Sequence, residues 1–260
     1  MSALALAAVL LFLGSGKPTL VLPLAGEIRA ANGNRFTTSV QIEGGGSVVY
    51  FPAGAGSLGK ETVRMPALDG DLPWKRVGRL GAVEIENADS ASATIVHIDP
   101  SGRVIGRLVV NAVEEDSGLR EGDSFRAEVP PLGWRTNLVV FESSNRPVGI
   151  EITASDQLGK TIEQAERTLG AHEQRLLPLS AGVAKIHLRV RRGPGRIHFG
   201  VFSTNIVTGE IASSNTTISR RSSEANVLRQ AAALLMIILT IYLIDRWQLK
   251  VAHAAGSGSS

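Results

Sequence analysis

From Thr19 to Ser219 the apolar residues of this chain recur mostly at every second position, in short runs broken by clusters of Gly, Pro, Asn and Asp. Side chains along an extended strand point alternately to opposite faces, so a period of two encodes strands with one buried face. Many short runs of this kind separated by turn residues confine the region to an all-β sandwich or barrel. Ala93 to Ile98 and Arg103 to Val110 flank Asp99-Pro100-Ser101-Gly102, which predicts a hairpin. Lys185 to Val190 and Arg196 to Phe202 flank Arg192-Gly193-Pro194-Gly195, which predicts another.

The pattern repeats. Phe36 to Ile42 matches Trp134 to Val140 in the type of every alternate residue, and Gly81 to Ile85 matches Ala184 to Leu188 at nearly the same offset. A duplication with a period of roughly 100 residues accounts for both matches, and each copy has the size of one sandwich domain. Glu114-Glu115-Asp116-Ser117-Gly118, running on to Gly122, supplies a polar junction between them. The 260 residues suffice for two such cores.

Three segments of the second copy carry a resemblance: Gly133-Trp134-Arg135-Thr136-Asn137-Leu138-Val139-Val140-Phe141, Arg146-Pro147-Val148-Gly149-Ile150-Glu151-Ile152 and Asp156-Gln157-Leu158-Gly159-Lys160. Together with Glu173-Gln174-Arg175-Leu176, they resemble a repeat common in exported bacterial proteins, similar to immunoglobulin-like β-sandwich modules of uncharacterised role. The first copy resembles the usual upstream partner of that repeat through Phe36-Thr37-Thr38, Val48 to Gly54 and Leu80 to Glu84, so the likeness covers residues 35–214. It implies framework and brings no catalytic residue. Glu142-Ser143-Ser144-Asn145 departs from it, because the repeat prefers an Asn earlier in that turn.

The two ends of the chain differ from the body. Residues 1–16 form an apolar run closing on Gly14-Ser15-Gly16, the composition of a signal peptide without its basic start. Near the C-terminus Ala231 to Ile244 is uncharged and is shorter than the ~20 residues that a membrane span needs. Val227, Leu228, Trp247 and Leu249 extend it across flanking charges whose long side chains can snorkel. The expected anchor comprises Leu234, Leu235, Met236, Ile237, Ile238, Leu239, Ile241, Tyr242, Leu243, Ile244 and Trp247, with Tyr242 and Trp247 at an interface. The expectation is therefore an all-β chain: two tandem immunoglobulin-like sandwiches at 17–122 and 123–221, then a transmembrane α-helix within 222–255 and a flexible tail at 256–260.

The spacing GxxxxGK in residues 54–60 raises the question of a phosphate-binding loop. Such a loop needs a Ser or Thr after the Lys and a helix beginning there. Glu61 stands where the magnesium ligand belongs, Thr62 comes one residue late, and Pro66 interrupts any helix after one turn. A mobile loop between two strands is the reading that remains, and the GxGxxG spacing within it fails for the same reason.

No other constellation for chemistry stands out. The absence of cysteine excludes disulfides, thiolate nucleophiles and zinc–thiolate sites. His187 and His198 could face each other across the second hairpin, but no carboxylate completes a metal site there. Asp69 and Asp71 read as a turn rather than a calcium site, and Asn215-Thr216-Thr217 is a formal glycosylation sequon of little weight. Twenty-seven basic against 24 acidic residues leave a net charge of +3, too weak a field for nucleic acid. Lys185, Arg189, Arg191, Arg192 and Arg196 form the densest positive cluster, either a solvated edge or a contact for anionic headgroups or an acidic partner.

The sequence thus points to a non-enzymatic protein without cofactor or small-molecule substrate, anchored in the cell membrane with its β body on the periplasmic or extracellular side. Its expected partners are membrane lipid and other membrane proteins, as a scaffold or accessory subunit. The alternative is an adhesion or ligand-binding module that the helix merely tethers.

Overall fold

The computed structural model describes residues 17–30, 32–65, 79–130, 133–214 and 216–220. Among the described residues the period-two region folds into seventeen strands. The first eight are β1 (Leu20–Arg29), β2 (Arg35–Glu43), β3 (Gly46–Pro52), β4 (Glu61–Met65), β5 (Leu80–Glu86), β6 (Ser90–Ile98), β7 (Val104–Asn111) and β8 (Val113–Glu114). Nine more follow: β9 (Ser124–Glu128), β10 (Trp134–Glu142), β11 (Val148–Ser155), β12 (Thr161–Leu169), β13 (Gln174–Pro178), β14 (Lys185–Arg192), β15 (Ile197–Asn205), β16 (Ile211–Ser213) and β17 (Thr216–Ser219). Helix among the described residues is limited to short 3-10 turns at Gly56–Gly59 and Glu115–Ser117.

In the first half β1 serves two sheets. Its residues Leu20 to Gly26 pair with β5, Leu20 and Val21 also pair with β8, and Glu27 to Arg29 pair with β2. The change of partner falls beside a register irregularity between Leu22 and Ala25. Pro23 lies inside it and has no N–H to offer a ladder. Gly26 completes the bend at φ 143°, where a Cβ atom would sit 2.1 Å from the Arg79 carbonyl oxygen. The order β4-β3-β5-β1 therefore continues as β1-β2-β6-β7, folding over a core that includes Leu22, Val48, Tyr50, Val83, Ile85 and Ala93.

The second half separates fully into a five-stranded sheet, β12-β11-β14-β9-β17, and a four-stranded sheet, β13-β10-β15-β16. Leu138, Val140 and Val201 from the smaller sheet meet Phe125, Ile150, Ile186 and Leu188 from the larger in one core. The two halves share a strand order, except that β13 has no counterpart among the described strands of the first. The order β4-β3-β5-β1 with β8 on β1 answers to β12-β11-β14-β9 with β17 on β9, and β2-β6-β7 answers to β10-β15-β16. The two sequence matches fall on β2 with β10 and on β5 with β14, which hold equivalent places.

The first predicted hairpin forms, as β6 and β7 pair from Ser92 with Asn111 to Ile98 with Val104. The second does not. Both edges of β14 are taken, by β11 and by β9, so β15 crosses to the other sheet and pairs with β10. Alternation identifies a strand without naming its neighbours, and a Gly-Pro-Gly turn serves a crossing between sheets as well as a hairpin. Gly195 is held close to Arg146, whose carbonyl oxygen a Cβ atom would approach to 2.6 Å.

Among the described residues no helix is long and apolar enough to cross a membrane. The apolar run at 1–16, the expected anchor and tail at 222–260, Asp69, Asp71 and Asn215 lie outside the described residues. All seventeen strands belong to one compact unit that ends at Arg220. Its two described ends come to the same place: the Glu115 N–H donates to Thr19 O at 2.8 Å, and Arg220 Nη2 donates to Ser117 O at 2.9 Å.

The core of the second half predicts a large response at Phe125, which is fully buried with its ring stacked on Phe199 at 3.8 Å. Phe125→Ala should cost about 3–5 kcal/mol, read as a lowered urea midpoint with unchanged slope.

Candidate functional site

The contact between the halves is the outer face of the four-stranded sheet. On β10, Leu138 and Val140 point into their own core, while the alternate residues Val139 and Phe141 point out and are covered by the first half. Phe141 packs with Val21, Phe51 and Ala82, and Val139 with Ile95, Phe202, Ile211 and Leu176. The apolar rows of this face are thus sealed, and β10 carries a cleft at each end.

At its C-terminal end stands Glu142, fully buried. Its Oε1 accepts the N–H and hydroxyl of Ser144 at 2.8 and 2.6 Å and the N–H of Arg196 at 3.2 Å. Its Oε2 accepts the N–H groups of Arg146 and His172 at 3.1 and 3.0 Å. One carboxylate therefore gathers the β10–β11, β12–β13 and β14–β15 turns. A buried charge is tolerated only when its hydrogen-bonding capacity is met in this way.

These turns meet the first half. His172, a non-glycine residue at φ 52°, stacks its ring on Phe51 at 4.4 Å and places Nδ1 3.3 Å from Glu84 Oε1, without the alignment of a hydrogen bond. Burial pushes the Glu84 carboxyl up, and His172 opposes that shift. Arg196 pairs with Glu115 at 2.9 Å and with Asp116 at 2.7 Å. His198 donates from Nε2 to Glu115 O at 3.2 Å. Burial pulls His198 down to about 4, the bond to Glu115 works against this, and the charge of Arg196 adds to it. A cleft of about 410 Å³ opens here between Glu84, Glu86, Ser143, Arg146 and His172.

At the N-terminal end of β10 the outer face turns polar and the first half ceases to cover it. Arg135 and Asn137 follow Val139 on this face, Thr204 stands opposite Arg135, and a cavity of about 710 Å³ lies over them. Its far wall is His97, whose Nδ1 faces Gly209 O at 2.8 Å and whose Nε2 faces Asn34 Nδ2 at 2.9 Å. A carbonyl only accepts, so Nδ1 donates to Gly209 O, while Nε2 lies against the Asn34 amide. That ring stacks on Phe36 at 4.1 Å.

The residues singled out in the sequence disperse. Residues 54–60 do not precede a helix: Gly56–Gly59 is one 3-10 turn, and β4 follows at once. The loop is pinned rather than free, because Gly54 donates to Gln174 O at 3.1 Å and Gly56 lies too close to Ala171 O to admit a Cβ atom. Lys185, Arg189 and Arg191 are exposed along β14, yet Lys185 stands opposite Glu128, Arg189 opposite Glu151, and Arg191 lies 3.5 Å from Glu151. Arg192 is exposed against Gly149, and Arg196 belongs to the junction instead. The face is thus laced with both signs of charge. His187 lies on the five-stranded sheet and His198 on the four-stranded one, so the imagined pair does not form. Burial and the charge of Arg126 pull the His187 ring down. Among the described residues no group of three His, Asp or Glu side chains is placed to hold a metal ion.

Comparison with protein-family models, curated proteins and solved structures finds no match.

Two outcomes follow from the Glu142 end. Glu142→Ala leaves the Ser144, Arg146 and His172 N–H groups without an acceptor, while Arg196 N–H keeps Ser144 Oγ; it should cost about 3–5 kcal/mol in chemical denaturation, whereas Ser144→Ala should cost about 1 kcal/mol. The folded value of His198 lies below its ordinary 6.5, so its contribution is complete above that pH and is lost as pH falls towards about 4. The loss is roughly 3 kcal/mol by linkage, and the melting temperature of His198→Gln should fall less steeply over that interval.

Proposed function

We propose that this protein is a non-enzymatic accessory or scaffold subunit, tethered to a membrane by its C-terminal apolar run and acting through a rigid β body. The observation that carries the reading is the meeting of both described ends at Glu115–Ser117, where Thr19 and Arg220 each bond to the turn. A body joined at one corner to apolar runs on either side leaves its remaining surface free for partners. The sealed junction supports it too, since a stiff body fixes the spacing between tether and partner.

Each half is read as a variant immunoglobulin-like sandwich. If β9 to β15 stand for strands A, B, C, C′, E, F and G, the pairs B–E and C–F of that fold are kept by β10 with β13 and by β11 with β14. The outer strands are exchanged. The first strand, β9, lies beside F, and the last, β15, beside B. The resemblance in sequence is a resemblance of framework strands, and the exchange leaves those central pairs intact.

Affinity purification from native membranes in mild detergent, comparing the full chain with one stopped at Ser222, tests the proposal. Stoichiometric partners should accompany the full chain and vanish with the truncation. A truncated form that performs every function of the full chain overturns it.

A further inference from the structure

We propose that the cavity at the Arg135 end of β10 binds a small organic carboxylate bearing an apolar substituent. The charge on its walls is one-sided. Among the described residues no Asp or Glu lines it, and Arg135 is the single Lys or Arg present. Among the described residues the Arg135 guanidinium makes no hydrogen bond or ion pair, whereas Arg35 pairs with Glu27 and Arg196 with Glu115 and Asp116.

The neighbours of Arg135 supply further donors. The side chains of Asn137 and Thr204 share its face and make no hydrogen bond among the described residues. Asn205 spends its carbonyl oxygen on the N–H groups of Val207 and Thr208, which leaves its amide hydrogens to give. A planar guanidinium flanked by amide and hydroxyl donors matches a carboxylate, which accepts two parallel bonds from such a fork. Ile105, Leu179 and Ile206 form the apolar part of the lining. Ile206 and Val207, which also line it, are 64% and 86% exposed. Inorganic phosphate would leave that wall bare, and a cation would meet Arg135 with no acid to offset it.

The size is suitable, because ligand pockets run from about 300 to 1,000 Å³. The cavity is also supported from behind. Thr136 is buried and bonded to Ser203 at 2.8 Å, while Phe36 and His97 stack against each other. The site thus rests on both halves, and ligand binding would draw on the same junction that makes them one body.

Calorimetric titration of the full chain with hexanoate, hexanol and hexylamine tests this. Hexanoate should bind saturably at one site, and the alcohol and the amine should not. Arg135→Gln, an exposed position, should weaken hexanoate by about tenfold or more, equivalent to ~1.4 kcal/mol. Asn137→Asp, which sets a carboxylate beside Arg135, should do the same. Arg64→Gln on β4, outside the cavity, should change nothing. Equal binding of hexanol, indifference to Arg135→Gln, or no saturable heat up to ~10 mM hexanoate overturns the proposal.

Discussion

The second half of this protein is organised around one buried negative charge. An ionised carboxylate taken out of water is costly, and Glu142 offsets the cost only by collecting donors from three separate turns. Those turns are the ones that confront the first half: His172 reaches Phe51 and Glu84, and Arg196 reaches Glu115 and Asp116. The position of the junction is therefore set by where the Glu142 carboxylate can be satisfied. The apolar contacts of Phe141 and Val139 then supply the area.

That arrangement gives β10 an uncommon role. One face belongs to the core of the second half, and the other is covered by the first half along its middle. Only its two ends remain open, one lined by glutamates, arginines and His172 and the other by a lone arginine with amides. A duplicated sandwich that had stayed a pair of beads on a linker would have kept this face polar throughout. Here the burial of Val139 and Phe141 converts two similar halves into one body, with distinct chemistry at the ends of a single strand.

Much of this was legible beforehand. Alternation located the strands, and the match of β2 with β10 revealed the repeat, because burial on one face leaves a record at every second residue. The partners of those strands were not legible, and β15 shows why: its alternation is the same whether it pairs with β14 or with β10. The acids that stand beside the cationic residues of β14 were hidden for a related reason, since Glu128 and Glu151 lie far from β14 in sequence and beside it in the sheet. Glu142 had left a trace, as the residue where the turn departs from the resembled repeat. Its significance depends on three turns converging, which no local pattern records. Residues 54–60 illustrate the reverse case: Gly54 serves a turn at φ 71°, Gly59 packs on Pro52 and Ala55 of its own loop, and Gly56 alone is needed for close approach to the second half, at Ala171 O.

The closing strands bear on how the chain acquires its structure. β8 pairs with β1 and β17 pairs with β9, so each half ends by returning to its own beginning. During synthesis the first half has all its described strands once Glu114 has emerged, before any residue of the second is needed. The Glu142 network and the face of β10 come later, and they meet a surface that is already formed. Vectorial synthesis thus converts a junction of two long-range sheets into a docking step onto a template, and shortens the time for which the apolar outer face of β10 stands bare.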